Sequence, residues 1–291
     1  MSTNLNRREA LIAGLSLPLL STVAEAEEKP AASPDALTVV VTDPLAAPLS
    51  CSCVKGYAQR DYDKLGKHLE TKLGRPVAVH YAESLAGALT KKSNGKADLI
   101  IGKDSVVRAQ APASKLTVTH LVALTGKDGK STQTGLICVA VADKAVTASD
   151  LNGYTIHFGI AYAEEKHGAA IKLLKELGVA VPAKPLTCPT CTDGATKVIE
   201  LAKNGENVAA VISSYAQPLL EGCGTIKKGE LRVVGETDPV PFIAVFATGS
   251  LSIDEQTAIK AALLAVGSSM DLCTALETKS GFIETEPVKK K

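Results

Sequence analysis

Along this chain, short continuous apolar runs alternate with stretches whose apolar residues return every three or four positions, the two periods that separate buried strands from amphipathic helices. The first run, Leu37, Val39, Val40 and Val41, ends in Thr42-Asp43-Pro44, and a Pro-containing loop then carries Cys51-Ser52-Cys53 toward a helix. That helix places Ala58, Tyr62, Leu65, Leu69 and Leu73 on one face and stops at Gly74, with Pro76 just beyond. Val77 to Tyr81 predicts a strand, Ser84 caps a helix running through Leu89, Asn94-Gly95 turns the chain, and Ala97 to Gly102 predicts a buried strand. Strands and helices alternating in this way favour a parallel sheet. Leu116 to Leu124 and Leu136 to Val141 predict two more strands about a polar turn at Lys127 to Lys130. Ser149-Asp150-Leu151-Asn152-Gly153 then leads into a strand from Tyr154 to Phe158.

The pattern now starts again. A helix is predicted from Glu164 to Leu177, with Ala169, Ala170, Leu173, Leu174 and Leu177 on one face and Gly178 as its stop. Leu186-Thr187 leads to Cys188-Pro189-Thr190-Cys191, and Thr192 or Asp193 is expected to cap a helix to Ala202. A strand from Val208 to Ile212, a helix from Ser214 to Leu220, strands from Leu231 to Val234 and from Phe242 to Ala247, and helices from Asp254 to Val266 and Ser269 to Thr278 complete the chain. Two successive α/β units predict two α/β lobes around a central cleft. Residues 36–139 and 241–291 form the first lobe and 140–240 the second, with the crossings near 140 and 240 as the hinge. No internal repeat is visible, which excludes a solenoid.

Charge and composition narrow the partner. The 32 Lys and Arg against 31 Asp and Glu leave a net charge of +1 without a basic stripe, which argues against nucleic acid. Aromatic residues make up 3% and Trp is absent, so stacking platforms for sugars, bases or quaternary amines are not available. A small polar molecule or a metal ion remains. Met1 to Ala26 has the form of an export signal, with Arg7-Arg8, an apolar run from Ala10 to Leu20, and Ala24-Glu25-Ala26 as a small-x-small cleavage site. Asn6-Arg7-Arg8-Glu9-Ala10-Leu11 resembles a twin-arginine signal. The mature protein is then expected to begin near Glu27 with a flexible leader over 27–35, and to be a soluble periplasmic monomer.

Six short segments recur in a family order: Leu65-Gly66-Lys67-His68-Leu69, Asn94-Gly95-Lys96-Ala97-Asp98, Ser149-Asp150-Leu151-Asn152-Gly153, Leu177-Gly178-Val179, Asn204-Gly205 and Thr237-Asp238-Pro239-Val240-Pro241. By these the chain resembles the phosphate, phosphite and phosphonate-binding periplasmic proteins of ABC importers, which have the type II solute-binding fold. The resemblance implies a non-enzymatic protein that closes two lobes around a small ligand and presents it to an ABC permease. Members usually carry a cluster of small hydroxyl residues after the strand that here ends at Phe158, where this chain reads Gly159-Ile160-Ala161-Tyr162-Ala163-Glu164-Glu165-Lys166-His167. Glu164 and Glu165 placed there would repel an anion. The acidic residue usual three positions after Gly205 is replaced by Val208.

The seven cysteines add a second line of chemistry. Cys51 and Cys53 in the first lobe, and Cys188 and Cys191 in the second, each precede a helix at the expected cleft mouth. A helix amino terminus favours thiolate, so four converging sulfurs would suit a tetrahedral Zn or a Cu(I) ion, giving a metal-binding or thiol-redox protein as the alternative. Disulfides compete with that reading, with Cys188–Cys191 as a local bridge and Cys223 and Cys273 either paired with each other or simply structural, while Cys138 reads as a buried inert thiol. The candidate ligand contacts are Cys51, Cys53, Tyr81, Ser84, Tyr162, Glu164, His167, Cys188, Cys191 and Ser214. Ser84 and Ser214 also suit helix caps, and Glu164 suits a helix start. Catalytic residues are not expected, because G-x-S-x-G, H-E-x-x-H and a phosphate-binding glycine loop are all missing.

Overall fold

In the computed structural model, which describes residues 36–50 and 58–285, strand β1 (Leu37–Val41) is buried at every position between two parallel neighbours. Helix α1 (Tyr62–Leu73) follows, capped by the Asp61 side chain accepting from Lys64 N and closed by Gly74 at φ 65°. Only glycine adopts that left-handed closing conformation without strain. Ala58 therefore lies before the helix rather than on its apolar face, since the capping bond sets the first turn at Tyr62. β2 (Val77–Tyr81), α2 (Leu85–Lys91) and β3 (Leu99–Lys103) come next. Helix α3 (Asp104–Ala113), not foreseen in the sequence, starts directly from β3, and β4 (Val118–Leu124) joins the same sheet.

The chain crosses over through β5 (Thr132–Gln133) into β6 (Gly135–Ala140) and continues with β7 (Thr155–Phe158), α4 (Gly168–Glu176), β8 (Leu186–Thr187), α5 (Cys191–Lys203), β9 (Val208–Ser213), α6 (Ala216–Gly222) and β10 (Leu231–Glu236). It returns through β11 (Val240–Pro241), antiparallel to β5, and closes with β12 (Ile243–Thr248), α7 (Ile253–Leu264), α8 (Met270–Ala275) and β13 (Phe282–Ile283). Two element starts differ from expectation. A 3-10 turn at Glu164–Lys166 precedes α4, and Thr190 caps α5 in a reciprocal box with Asp193, so Cys191 is the first helical residue.

Two mixed sheets result. The first runs β13-β4-β12-β3-β1-β2 and the second β10-β6-β9-β7-β8. Parallel pairing holds for β1 with β2 and β3, and for β7 with β8 and β9, whereas β12, β4, β6 and β10 pair antiparallel. We refer to each sheet with its helices as a lobe, although both belong to one compact unit. Leu65 and Leu69 of α1 and Ile259 and Leu263 of α7 cover one face of the first sheet, and Val107 and Ala111 of α3 cover the other. Burial of these apolar side chains, each worth about 1.5–3 kcal/mol when complete, is the main force holding the layers. The second sheet is likewise packed on both faces, by Ala170 and Leu174 of α4 and by Ala195 and Val198 of α5. Among the described residues no helix is long and apolar enough to cross a membrane.

Candidate functional site

The carboxyl ends of β3 and β9 meet in a buried seam between the two sheets, the place at which open α/β sheets leave room for ligands. Lys103, the last residue of β3, donates from Nζ to Glu165 Oε1 at 2.7 Å and to Ser213 Oγ at 3.2 Å. Ser213, the last residue of β9, donates its hydroxyl to the same Glu165 oxygen at 2.7 Å. One carboxylate oxygen thus receives a lysine and a serine from opposite lobes. The second oxygen, Oε2, is buried without a hydrogen-bond partner among the described residues. Glu165 reaches this point because Gly135 has no side chain: a Cβ there would lie 1.9 Å from Glu165 O. Gly135 N is held by Thr237 Oγ1 at 2.8 Å, which fixes the crossing strands against the turn.

Aromatic rings line the seam. Tyr215 stacks on Phe242 with centroids 5.2 Å apart, and Lys103 Nζ lies 5.0 Å from the Tyr215 centroid. The other face of the network belongs to the end of β1. Asp43 is fully buried and accepts from Arg60 Nη1 at 2.8 Å, from the Tyr62 hydroxyl at 2.6 Å and from Leu45 N at 2.9 Å. The Arg60 guanidinium lies 5.2 Å from the Phe242 ring centroid, within cation–π range. Lys166 completes the cluster: it is 5% exposed, and its Nζ is 3.6 Å from Cys191 Sγ. Among the described residues no carboxylate lies within ion-pair distance of it. Arg60, Lys103 and Lys166 therefore face Asp43 and Glu165, three buried cations against two carboxylates.

The protonation states follow from burial and neighbours. Burial opposes the charge on Lys103, but the adjacent Tyr215, Glu165 and Cys191 outweigh it and hold the ammonium well above the ordinary lysine range. Of these, Glu165 supplies the attraction at neutral pH, because burial pushes the Tyr215 hydroxyl up to about 12 and keeps it protonated. Burial would raise the Glu165 carboxyl, yet the Lys103 charge and the hydrogen bonds from Lys103 and Ser213 bring it below the usual value. The seam is thus a charged pair across the lobes, and either member left alone would be a costly buried charge.

The residues singled out in the sequence fall in several places. Cys191 reaches the seam, its Sγ accepting from Ser213 N at 3.4 Å. Cys188 is buried with its N–H on Phe158 O, and burial raises its thiol pKa, opposite to the helix-terminus effect expected for it. Cys51 and Cys53 lie outside the described residues, as do the signal and leader over 1–35. The expected Cys188–Cys191 and Cys223–Cys273 bridges do not form, since all four are free thiols; Cys188 is packed inward while Cys191 turns to Ser213. Among the described residues no group of three or more His, Cys, Asp and Glu is arranged to hold a metal ion. Ser84 caps α2 by accepting from Gly87 N, and Ser214 Oγ accepts from Thr134 N at the crossing instead of capping α6. His167 Nδ1 is hydrogen-bonded at 2.8 Å to Gly159 O, Tyr162 is 40% exposed, and Tyr81 packs against the core of the first lobe. Glu164 is exposed with its N–H on Ser105 Oγ, so the two adjacent carboxylates do not share a site and Glu165 is neutralised by Lys103. Sequence reasoning missed Lys103, Arg60 and Phe242. A second cavity of about 370 Å³, lined by Asp143, Lys144, Lys203 and Glu206, opens at the opposite end of β9 and shares no residue with the seam.

A family model described as the ABC transporter, phosphonate, periplasmic substrate-binding protein matches residues 56–290. A comparison with curated proteins finds no match. Among solved structures, PhnD1 from Prochlorococcus marinus in complex with methylphosphonate is 13% identical, with a TM-score of 0.62 over 87% of this chain and 94% of that one. A Xanthomonas citri protein bound to ATP is 15% identical, with a TM-score of 0.63 over 87% and 92%. The aliphatic sulphonate binding protein SsuA from Escherichia coli is 17% identical, with a TM-score of 0.56 over 85% and 79%. At these identities the likeness is one of fold.

Proposed function

We propose that this chain, which belongs to the periplasmic substrate-binding family of phosphonate ABC transporters, binds a small oxyanion in the seam between its lobes and delivers it to a membrane permease. The observation that carries the reading is the excess of buried positive charge at the sheet ends, where Lys166 lies 5% exposed without a carboxylate partner among the described residues. Lys103 Nζ and Ser213 Oγ already hold one carboxylate oxygen between them. A phosphonate or phosphate oxygen needs the same two donors, and charge-assisted bonds of this kind are the strong ones. The seam is the mobile boundary of the fold, since the chain crosses it at β5 and β11, so a ligand bridging both sides would favour lobe closure. Export through the signal expected at Met1 to Ala26 would bring the protein to the side of the membrane where such a family works.

Trp is absent, so tyrosine fluorescence is not masked, and Tyr215 beside Lys103 contributes a signal from the seam. Tyrosine fluorescence and calorimetric titration with methylphosphonate, inorganic phosphate, an alkyl sulfonate and, as controls, a neutral sugar and a quaternary amine test the reading. Saturable binding of at least one oxyanion, lost in Lys103→Met, is expected. Binding of the sugar or amine alone would overturn it.

A further inference from the structure

Resting on that reading, we infer that Glu165 is a tethered competitor: its carboxylate occupies the place of the ligand's oxyanion, and a ligand binds by displacing it from Lys103 and Ser213. Three observations converge. Lys103 Nζ and Ser213 Oγ, contributed by opposite lobes, both donate to Glu165 Oε1 at 2.7 Å. Glu165 Oε2, in a side chain with 0% exposure, has no hydrogen-bond partner among the described residues, so the carboxylate leaves half of its acceptor capacity unused in the position it holds. An acceptor left unsatisfied in a buried site is a standing cost that a firmly structural residue would normally have relieved. The turn that carries Glu165 is a single 3-10 turn, tied to the first lobe through Glu164 N on Ser105 Oγ at 3.3 Å, and so is not part of a long helix.

The consequence is a threshold on affinity and a filter on ligands. With Glu165 in place, the lobes are already bridged and the two donors are satisfied, so a solute must offer oxygens that serve Lys103 and Ser213 better than the tethered carboxylate. Apparent affinity is reduced by the fraction of molecules in which the donors are free. Monocarboxylates, which match Glu165 oxygen for oxygen, gain least from the exchange. Groups with three oxygens on one atom gain most, because the additional oxygen can meet the uncompensated Lys166. Glu165 is thus a specificity-determining residue that acts by competing for the ligand's partners.

The test is calorimetric titration of the full mature chain with methylphosphonate and with acetate, in the unmodified protein, Glu165→Ala, Glu165→Gln and Lys103→Met, each checked for folding by circular dichroism. Removal of the carboxylate is expected to tighten methylphosphonate binding about tenfold or more in both Glu165 variants, and to bring acetate binding into the measurable range. Unchanged or weaker methylphosphonate binding in folded Glu165→Gln, with binding still lost in Lys103→Met, would overturn the competitor role while leaving the seam as the ligand site. Methylphosphonate binding that survives intact in Lys103→Met would overturn the seam itself. Should Glu165→Ala not fold, Glu165→Gln, which keeps the side-chain shape, carries the comparison.

Discussion

Replacing Asp43 with alanine tests how far a single buried carboxylate organises the first lobe's side of the seam. The Asp43 carboxylate accepts from Arg60 Nη1, the Tyr62 hydroxyl and Leu45 N, and it is fully buried. Arg60 is 4% exposed and its Nε already lacks a partner, so in Asp43→Ala the guanidinium becomes an uncompensated buried charge. Breaking a buried pair in this way costs about 3–5 kcal/mol. The orphaned Tyr62 hydroxyl adds about 1–3 kcal/mol by itself. These groups form one network and their costs overlap, so the expected loss is about 4–6 kcal/mol, a fall in unfolding midpoint on the order of 10–20 °C for a chain of this size. The assay is thermal and urea unfolding followed by circular dichroism for Asp43→Ala, Asp43→Leu, Arg60→Met and Asp43→Leu combined with Arg60→Met. The double variant is expected to lose less than the sum of its parts, because an apolar pair of similar volume leaves no charge behind. A loss below about 1 kcal/mol in Asp43→Ala, or strict additivity in the double variant, would refute the assignment of Arg60's charge balance to Asp43.

Two further outcomes follow from the same geometry. Thermal midpoints measured from pH 8 to pH 3 are expected to fall in two stages. Burial, the largest effect on both, holds His120 and His157 below the ordinary value, so below about pH 6.5 the unfolded chain takes up protons that the folded chain refuses and stability declines. Glu165 has a folded pKa below that of the free side chain, so its contribution is complete above about pH 4.3 and is lost as pH falls through the folded value; a flat profile between pH 7 and pH 3 would contradict both assignments. Gly135→Ala would place a methyl group 1.9 Å from the Glu165 backbone oxygen, and since backbone cannot rotate aside, a loss of about 3 kcal/mol or more in urea unfolding is expected, against near-neutrality if the turn is free to move.

Much of the fold was legible because the chain marks its own strand and helix ends. β1, β2, β9 and β12 are continuous apolar runs, and the stops at Gly74 and Gly178 are glycines in the left-handed conformation. Helix α3 escaped because β3 passes into it with no glycine or proline between them, while Pro112 in its last turn reads as a loop signal. Strand direction was hidden for a different reason: a strand buried on both faces looks the same whether its neighbour runs with it or against it, so the reversed β12 could not be told from a parallel member. At α5 the signal was present and was misassigned by two residues, since Thr190 with Asp193 three positions later has the reciprocal spacing of a capping box.

The site was less legible because its chemistry depends on pairs that the chain holds far apart. Lys103 and Glu165 are separated by 62 positions, and neither residue type announces the other. The cysteines drew attention through their spacing, yet spacing along the chain does not fix direction in space: Cys188 packs inward while Cys191, three residues on, faces Ser213. Offsets of one residue matter equally, since Glu164 is exposed while Glu165 is wholly buried, and Ser214 supports the crossing while Ser213 enters the seam. A charged residue ending an otherwise apolar buried strand, as Lys103 does after Leu99 to Gly102, is the one cue that was open to a reader of the sequence. In a buried strand a lysine must find a counterion, and at the carboxyl end of a sheet that counterion is either a side chain from the facing lobe or the solute that takes its place. In this protein the facing side chain is Glu165, so on the proposed reading the affinity for an oxyanion depends on how far the solute outbids a carboxylate already seated on Lys103.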